Sequence, residues 1–219
     1  MSLGLNLGLM SSNKLVLNQA VTFDGVNDYA NFNHSIVGTS DFTVYLDFEV
    51  ATTTSGNQNV FSLKGGTAND YGLWMRHNGT KFFLKVGNGT KNFSNDTLVT
   101  GNEYQVTIFY DASEEEVTVT QVKNGTSSTP INASGTNNAV DFATSGTEGR
   151  LAGLAWSTAN VGNFIFKEFK VSQGSTANVH YDFRADAGTT TIQDLTSNNH
   201  DATVVNATMS TFWSPIYVG

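Results

Sequence analysis

The side chains of this 219-residue chain that could do chemistry fall into three small groups. Asp47 and Glu49 alternate along the strand-like run Tyr45-Leu-Asp-Phe-Glu49, so both project to one face, as paired acid/base carboxylates must. Asp24, Asn27 and Asp28 crowd one turn, with Asp194 and Asp201 as further oxygen donors, and hard oxygen ligands supplied by turns suit calcium. Trp74 alternates away from Leu73 and Met75 and so shares a face with Arg76, while Trp156 stands in the loop-like stretch Leu154-Ala-Trp-Ser157. An indole face offers a sugar ring an apolar platform, and an arginine beside it offers hydrogen bonds. Each group also has a plainer explanation. The carboxylates suit the polar face of a sheet, the Asx cluster suits a turn that bonds its own backbone, and an outward Trp can pack against a loop or a second subunit.

Other chemistries lack their parts. The four histidines, His34, His77, His180 and His200, show no paired metal-ligand spacing, and there is no Gly-x-Ser-x-Gly elbow or phosphate-cradling loop. With no cysteine, disulfides, thiol nucleophiles and thiolate metal sites are excluded. Eleven Lys and Arg against nineteen Asp and Glu leave a formal charge of −8, which argues against a nucleic-acid partner. No run approaches the ~18 apolar residues of a membrane span, so membrane insertion is not expected.

The elements that must position these groups read as strands. Only 14% of residues are charged, while Asn, Thr and Gly, which suit strands and turns rather than helix interiors, are abundant. The run Asp41–Val50 alternates most clearly: Phe42, Val44, Leu46, Phe48 and Val50 point one way, and Thr43, Tyr45, Asp47 and Glu49 the other. Further strands are predicted over Asn59–Lys64, Tyr71–His77, Lys81–Gly87, Glu103–Tyr110, Glu116–Lys123, Phe164–Ser172 and Val179–Arg184. Asn78-Gly79, Asn88-Gly89 and Asn124-Gly125 mark hairpin turns, because both residues tolerate positive φ. No segment shows a sustained helical period, and composition does not shift after the first dozen residues. The expectation is an all-β, two-sheet antiparallel β-sandwich forming a single domain over 13–219.

Residues 1–12 read as a flexible Leu/Gly arm without the basic start and apolar run of a secretion signal. Leu3, Leu5, Leu7 and Leu9 alternate, so an extended arm presents all four on one side, as a docking strand for a partner or a second copy.

Five blocks, in order, resemble the laminin-G-like or concanavalin A-like jelly-roll family of bacterial surface and phage proteins. They are Val21-Thr-Phe-Asp-Gly-Val-Asn-Asp-Tyr-Ala30, Phe42–Phe48, Gly101–Asp111 with the strand ending in Lys123-Asn-Gly125, Phe164-Ile-Phe-Lys-Glu-Phe-Lys-Val171, and Tyr181–Thr190 continuing through Asp194–Asp201 to Trp213. The resemblance implies a jelly roll, with a structural calcium as the one ion to weigh. Glucanases of this fold carry Glu-x-Asp-x-Glu on a central strand; here Asp47 and Glu49 match, but Tyr45 stands where the nucleophile belongs. The implied function is therefore non-enzymatic. Together with the missing secretion signal and the arm, the resemblance points to a bacteriophage structural protein on the virion surface, a capsid decoration or tail-associated receptor-binding subunit. Its partners would be other virion proteins, copies of itself and a host-surface glycan. The alternatives are a bacterial carbohydrate-binding, lectin-like module and, behind it, a polysaccharide hydrolase.

Overall fold

The computed structural model describes residues 16–36, 39–52, 56–63, 72–79, 81–87, 89–92, 99–127, 131–133, 139–142, 147–155, 161–184 and 190–214. The arm at 1–12 and Trp156 lie outside the described residues. Every regular element bounded there is a β-strand: β1 (Val16–Asp24), β2 (Tyr29–Asn33), β3 (Phe42–Val50), β4 (Gln58–Leu63), β5 (Leu73–His77) and β6 (Phe82–Val86) come first. Then follow β7 (Gly89–Asn92), β8 (Glu103–Asp111), β9 (Glu116–Lys123), β10 (Thr126–Ser127), β11 (Ile131–Ala133) and β12 (Glu148–Leu151). The chain closes with β13 (Asn163–Gln173), β14 (Thr176–Asp182), β15 (Thr191–Ile192), β16 (Ala202–Val205) and β17 (Thr208–Ser214).

They form two sheets. A nine-stranded sheet runs β10-β9-β8-β3-β13-β1-β17, with β11 also on β9 and β14 also on β13. An eight-stranded sheet runs β15-β16-β2-β12-β4-β5-β6-β7. Neighbours in the chain are often not neighbours in the sheet, so β12 lies between β2 and β4 although more than eighty residues separate it from either. The Asn124-Gly125 signal does what its residues allow: φ is 47° and 78° at the two positions, closing the tight turn between β9 and β10.

The strand β3 faces as its alternation requires. Phe42, Val44, Leu46, Phe48 and Val50 are all buried on the inner side, each worth roughly 1.5–3 kcal/mol of hydrophobic stabilisation. Aromatic rings tie the sheets together: Phe48 of β3 meets Phe82 of β6 edge-on at 5.8 Å, and Phe169 of β13 meets Phe32 at 5.3 Å and Phe61 at 5.9 Å. Tyr45 and Asp47 take the opposite face, but Asp47 is only 5% exposed rather than the solvated group that alternation alone suggests.

The cause lies in β13. Strict alternation would place Phe164, Phe166 and Glu168 on one side. Instead the register against β3 shifts between Phe166 and Glu168, leaving Lys167 as an extra, bulged residue. Inward parity thereby passes from Phe164 and Phe166 to Phe169 and Val171, all fully buried. Lys167 and Glu168 are both released to the outer face beside Asp47.

Two histidines of the eight-stranded sheet are buried as neutral rings. The Gly79 N–H donates to Nδ1 of His77 at 2.9 Å, so Nε2 carries the proton and donates to Gln58 Oε1 at 2.8 Å. Desolvation lowers the His77 pKa to about 4. His34, just beyond β2, lies edge-on to Phe142 at 4.7 Å, and neither ring nitrogen has a hydrogen-bond partner among the described residues. Burial, helped by the charge of His200, lowers its pKa to about 3.

Candidate functional site

A cavity of about 330 Å³ lies on the outer face of the eight-stranded sheet. It is built where three short strands run side by side. Thr203 of β16 lies opposite Asn31 of β2, which lies opposite Arg150 of β12. One rung along, two residues or roughly 7 Å away, Glu148 lies opposite Asn33, and Asp201 reaches the cavity from just before β16. Local alternation makes this face polar: in Tyr29–Asn33 the inner positions are Ala30 and Phe32, so both asparagines must face out.

Neighbours hold the cavity's walls in place. Arg150 donates from Nε to Asn31 Oδ1 at 2.8 Å and lies with its guanidinium carbon 4.2 Å from the centre of the Tyr29 ring. A side chain at Gly153 would meet Arg150 Cδ at 2.6 Å, so the turn after β12 closes directly over the arginine stem. A Cβ at Gly149 would stand 2.3 Å from the Phe32 ring, which makes glycine necessary beneath the cavity floor. Ala155 supplies a wall and donates its N–H to Ser62 Oγ of β4 at 3.0 Å, so the segment after β12 crosses the sheet and ends the cavity there.

Asp194 sets the position of the wall that carries Asp201. Its carboxylate accepts the N–H groups of His180, Thr196 and His200 and the Thr196 hydroxyl, at 2.6–3.0 Å. Burial alone would raise this carboxyl, but the Thr196 hydroxyl and the three backbone donors hold it below the usual carboxylate range. The Asp194 N–H in turn donates to Asp201 Oδ1 at 2.9 Å, and the Tyr181 hydroxyl donates to the His200 carbonyl.

The residues singled out by sequence are dispersed. Trp74 is on the outer face of the same sheet, two strands beyond Arg150 through Ser62, but only 9% of it is exposed. Arg76 sits over its ring at 4.8 Å, so the pair forms a cation–π stack rather than an open platform. Asp24 and Asp28 serve their own turn: Asp24 Oδ1 accepts the Val26 N–H at 2.7 Å, and Asp28 Oδ2 accepts the Asp24 N–H at 3.0 Å. Burial and the adjacent Asp24 charge push the Asp28 carboxyl up, and Gly25 takes the positive φ of 79° that the turn needs. Asn27 is exposed and its carbonyl accepts from Asn206. Asp24–Asp28 and Asp201 lie at opposite ends of β2, and among the described residues no three acidic or histidine side chains group as a metal site would require. The geometry is that of an Asx turn, in which Asp24 and Asp28 each accept a backbone N–H of the turn itself.

The carboxylates of β3 lie on the outer face of the other sheet. Asp47 Oδ2 accepts a long bond from Gln105 Nε2 at 3.4 Å, while its Oδ1 is buried without a hydrogen-bond partner among the described residues. Burial pushes the Asp47 carboxyl up, and Glu103 adds to it. Around it, Lys167 pairs with Glu103 at 2.9 Å, and Glu168 pairs with His180 at 3.0 Å and Arg184 at 2.9 Å. The Tyr45 phenol is pushed above its ordinary value by burial and then by Asp47 and Glu168, which makes it a poorer nucleophile still.

Sequence reasoning did not single out Asn31, Asn33, Glu148, Arg150 or Thr203. Alternation in Tyr29–Asn33 marks the outward positions of Asn31 and Asn33, while Glu148, Arg150 and Thr203 stand on four-residue strands, and only the strand order brings the five together.

No protein-family model matches the sequence, and no curated protein matches it. Among solved structures, a candidate carbohydrate-binding protein from Bacteroides ovatus is similar over 94% of this chain and 63% of its own, with a TM-score of 0.66 at 15% identity. The enzymatically active domain of tailspike protein 2 from bacteriophage CBA120 is similar over 83% of this chain and 35% of its own, with a TM-score of 0.56 at 12% identity. Domains LG4-5 of the mouse laminin alpha1 chain are similar over 82% and 47%, with a TM-score of 0.54 at 12% identity. This chain thus spans less than two thirds of each of those three. The shared property is the fold: this chain has a concanavalin A-like jelly-roll fold.

Proposed function

We propose that this jelly roll binds a glycan in the cavity formed by β16, β2 and β12, without hydrolysing it, as an attachment subunit of a bacteriophage particle. The observation that carries the reading is the cavity itself, whose two rungs set amides, carboxylates and an arginine at strand spacing under a wall formed by Ala155. Such planar polar groups match the alternating donors and acceptors of sugar hydroxyls. On the other sheet, Tyr45 in place of a carboxylate removes from β3 the pair that a retaining mechanism needs. Within the cavity, Glu148 and Asp201 are read as hydrogen-bond acceptors, and the search for cleavage products tests that reading. Likeness to the tailspike domain and the candidate carbohydrate-binding protein supports the setting. The arm, with Leu3, Leu5, Leu7 and Leu9, would dock the subunit onto the particle or onto a second copy. A bacterial lectin-like module is the second reading, favoured by the Bacteroides ovatus protein's coverage of nearly the whole chain.

The test is a glycan array probed with the intact protein and with Thr203→Tyr, an exposed position at the cavity rim, followed by mass spectrometry of each bound glycan for cleavage products. Binding that the variant loses, with glycans recovered intact, is the expected result. Cleaved glycans would overturn the non-hydrolytic part, and binding indifferent to Thr203→Tyr would overturn the site. Co-purification with particles, lost when residues 1–12 are deleted, is expected of the virion setting; binding to glycans without any particle association favours the bacterial module.

A further inference from the structure

Resting on the proposed glycan site, we infer that the cavity selects neutral saccharides and rejects those bearing a carboxylate. The argument is one of charge and donor balance. Two of the groups lining the cavity, Glu148 and Asp201, are carboxylates, against the single guanidinium of Arg150. That guanidinium is committed in part already, through its Nε bond to Asn31 and its stacking over Tyr29. It is therefore held as a wall rather than extended as a clamp for an incoming anion.

Glu148 lies within the field of Arg150, but among the described residues neither carboxylate accepts a side-chain hydrogen bond from another cavity group. Asp201 spends Oδ1 on the Asp194 N–H, which orients the group and leaves Oδ2 to face a ligand. Glu148 is exposed at the opposite end of the same rung, with Asn33 between them. Ionised carboxylates only accept hydrogen bonds, so a ligand must bring donors to both ends. Vicinal hydroxyls of a neutral pyranose do so, while Asn31 and Thr203 of the second rung can donate to the ring's acceptor oxygens. A uronic or sialic acid would bring a third negative charge into a site that already has a net negative lining, on a chain of formal charge −8.

The experiment titrates the intact protein, by calorimetry or NMR, with neutral disaccharides and with their glucuronate- and N-acetylneuraminate-bearing counterparts. Glu148→Gln, Asp201→Asn and the double variant are measured beside it. We expect neutral saccharides to bind at least about tenfold more tightly than acidic ones, and the double variant to narrow that gap to about twofold. Both substitutions keep size and shape, and a matching far-ultraviolet dichroism spectrum confirms that each variant folds. Acidic saccharides binding as tightly as neutral ones would overturn the inference while leaving the glycan site standing. So would a discrimination that the double variant leaves unchanged. If no saccharide of either class binds, the underlying site and the inference fall together.

Discussion

On the outer face of the nine-stranded sheet, Lys167 closes on Glu103, and Glu168 closes on both His180 and Arg184. On the outer face of the eight-stranded sheet, Glu148, Asp201, Arg150, Asn31 and Asn33 surround an open volume. Similar side chains give opposite outcomes because of what the backbone does beneath them. In the first sheet a bulge at Lys167 turns two successive charged residues outward, so cations and carboxylates meet within the same face. In the second, the turn at Gly153 and Ala155 lifts the chain over the sheet, and Asp194 fixes the far wall, so the polar groups are held apart. A charged sheet face keeps an open cavity when its walls keep partners from closing on one another.

The sheets should also respond to acid with opposite sign. His77 and His34 belong to the eight-stranded side and have folded pKa values of about 4 and about 3, below the unfolded value of 6.5. The unfolded chain therefore binds more protons below pH 6.5, so stability is fully present above that pH and is lost as pH falls toward those values. At pH 4 the loss should reach about 3 kcal/mol from each ring, the largest effect expected here. Asp47 on the other sheet has a raised folded pKa, so protonation relieves that face as the pH falls. Urea denaturation at pH 7 and pH 4 should show a large net loss, and His34→Phe should remove a substantial part of it. A variant with unchanged pH dependence would show that His34 is not the acid-sensitive group.

Next in size is Asp194→Ala, which deprives four donors of one carboxylate. It should cost about 3 kcal/mol, lower Tm by roughly 6–12 °C and misplace Asp201, weakening glycan binding as well. Gly149→Ala should cost about 2 kcal/mol through the displaced Phe32 ring, measured by the same melts. Glu168→Gln, on the ion-paired face, should change stability by less than about 1 kcal/mol, because its partners are partly solvated.

Much of the fold was legible because it rests on period-two patterning. Alternation placed Phe42, Val44, Leu46 and Phe48 inside and located Gln58–Leu63, Glu103–Asp111 and Glu116–Lys123 to within a residue. The bulge at Lys167 was not legible, since strict alternation gives no reason to skip one residue of Phe164–Val171. The cavity was less legible still. Its strands β12 and β16 are four residues each, too short for a pattern, and their adjacency to β2 depends on long-range pairing. Trp74 drew notice by residue type, yet Arg76 two residues along covers its ring, a relation that alternation could suggest but not measure.

Two single substitutions, one on each outer face, test the central claim most directly. Thr203→Tyr fills the cavity rim, and Thr107→Tyr adds the same bulk beside Tyr45 on the nine-stranded sheet. With the tightest glycan from the array, the first should weaken binding at least about tenfold, equivalent to about 1.4 kcal/mol, and the second should leave it within about twofold. Loss of binding in Thr107→Tyr with full affinity in Thr203→Tyr would place the site on the ion-paired face and contradict the account.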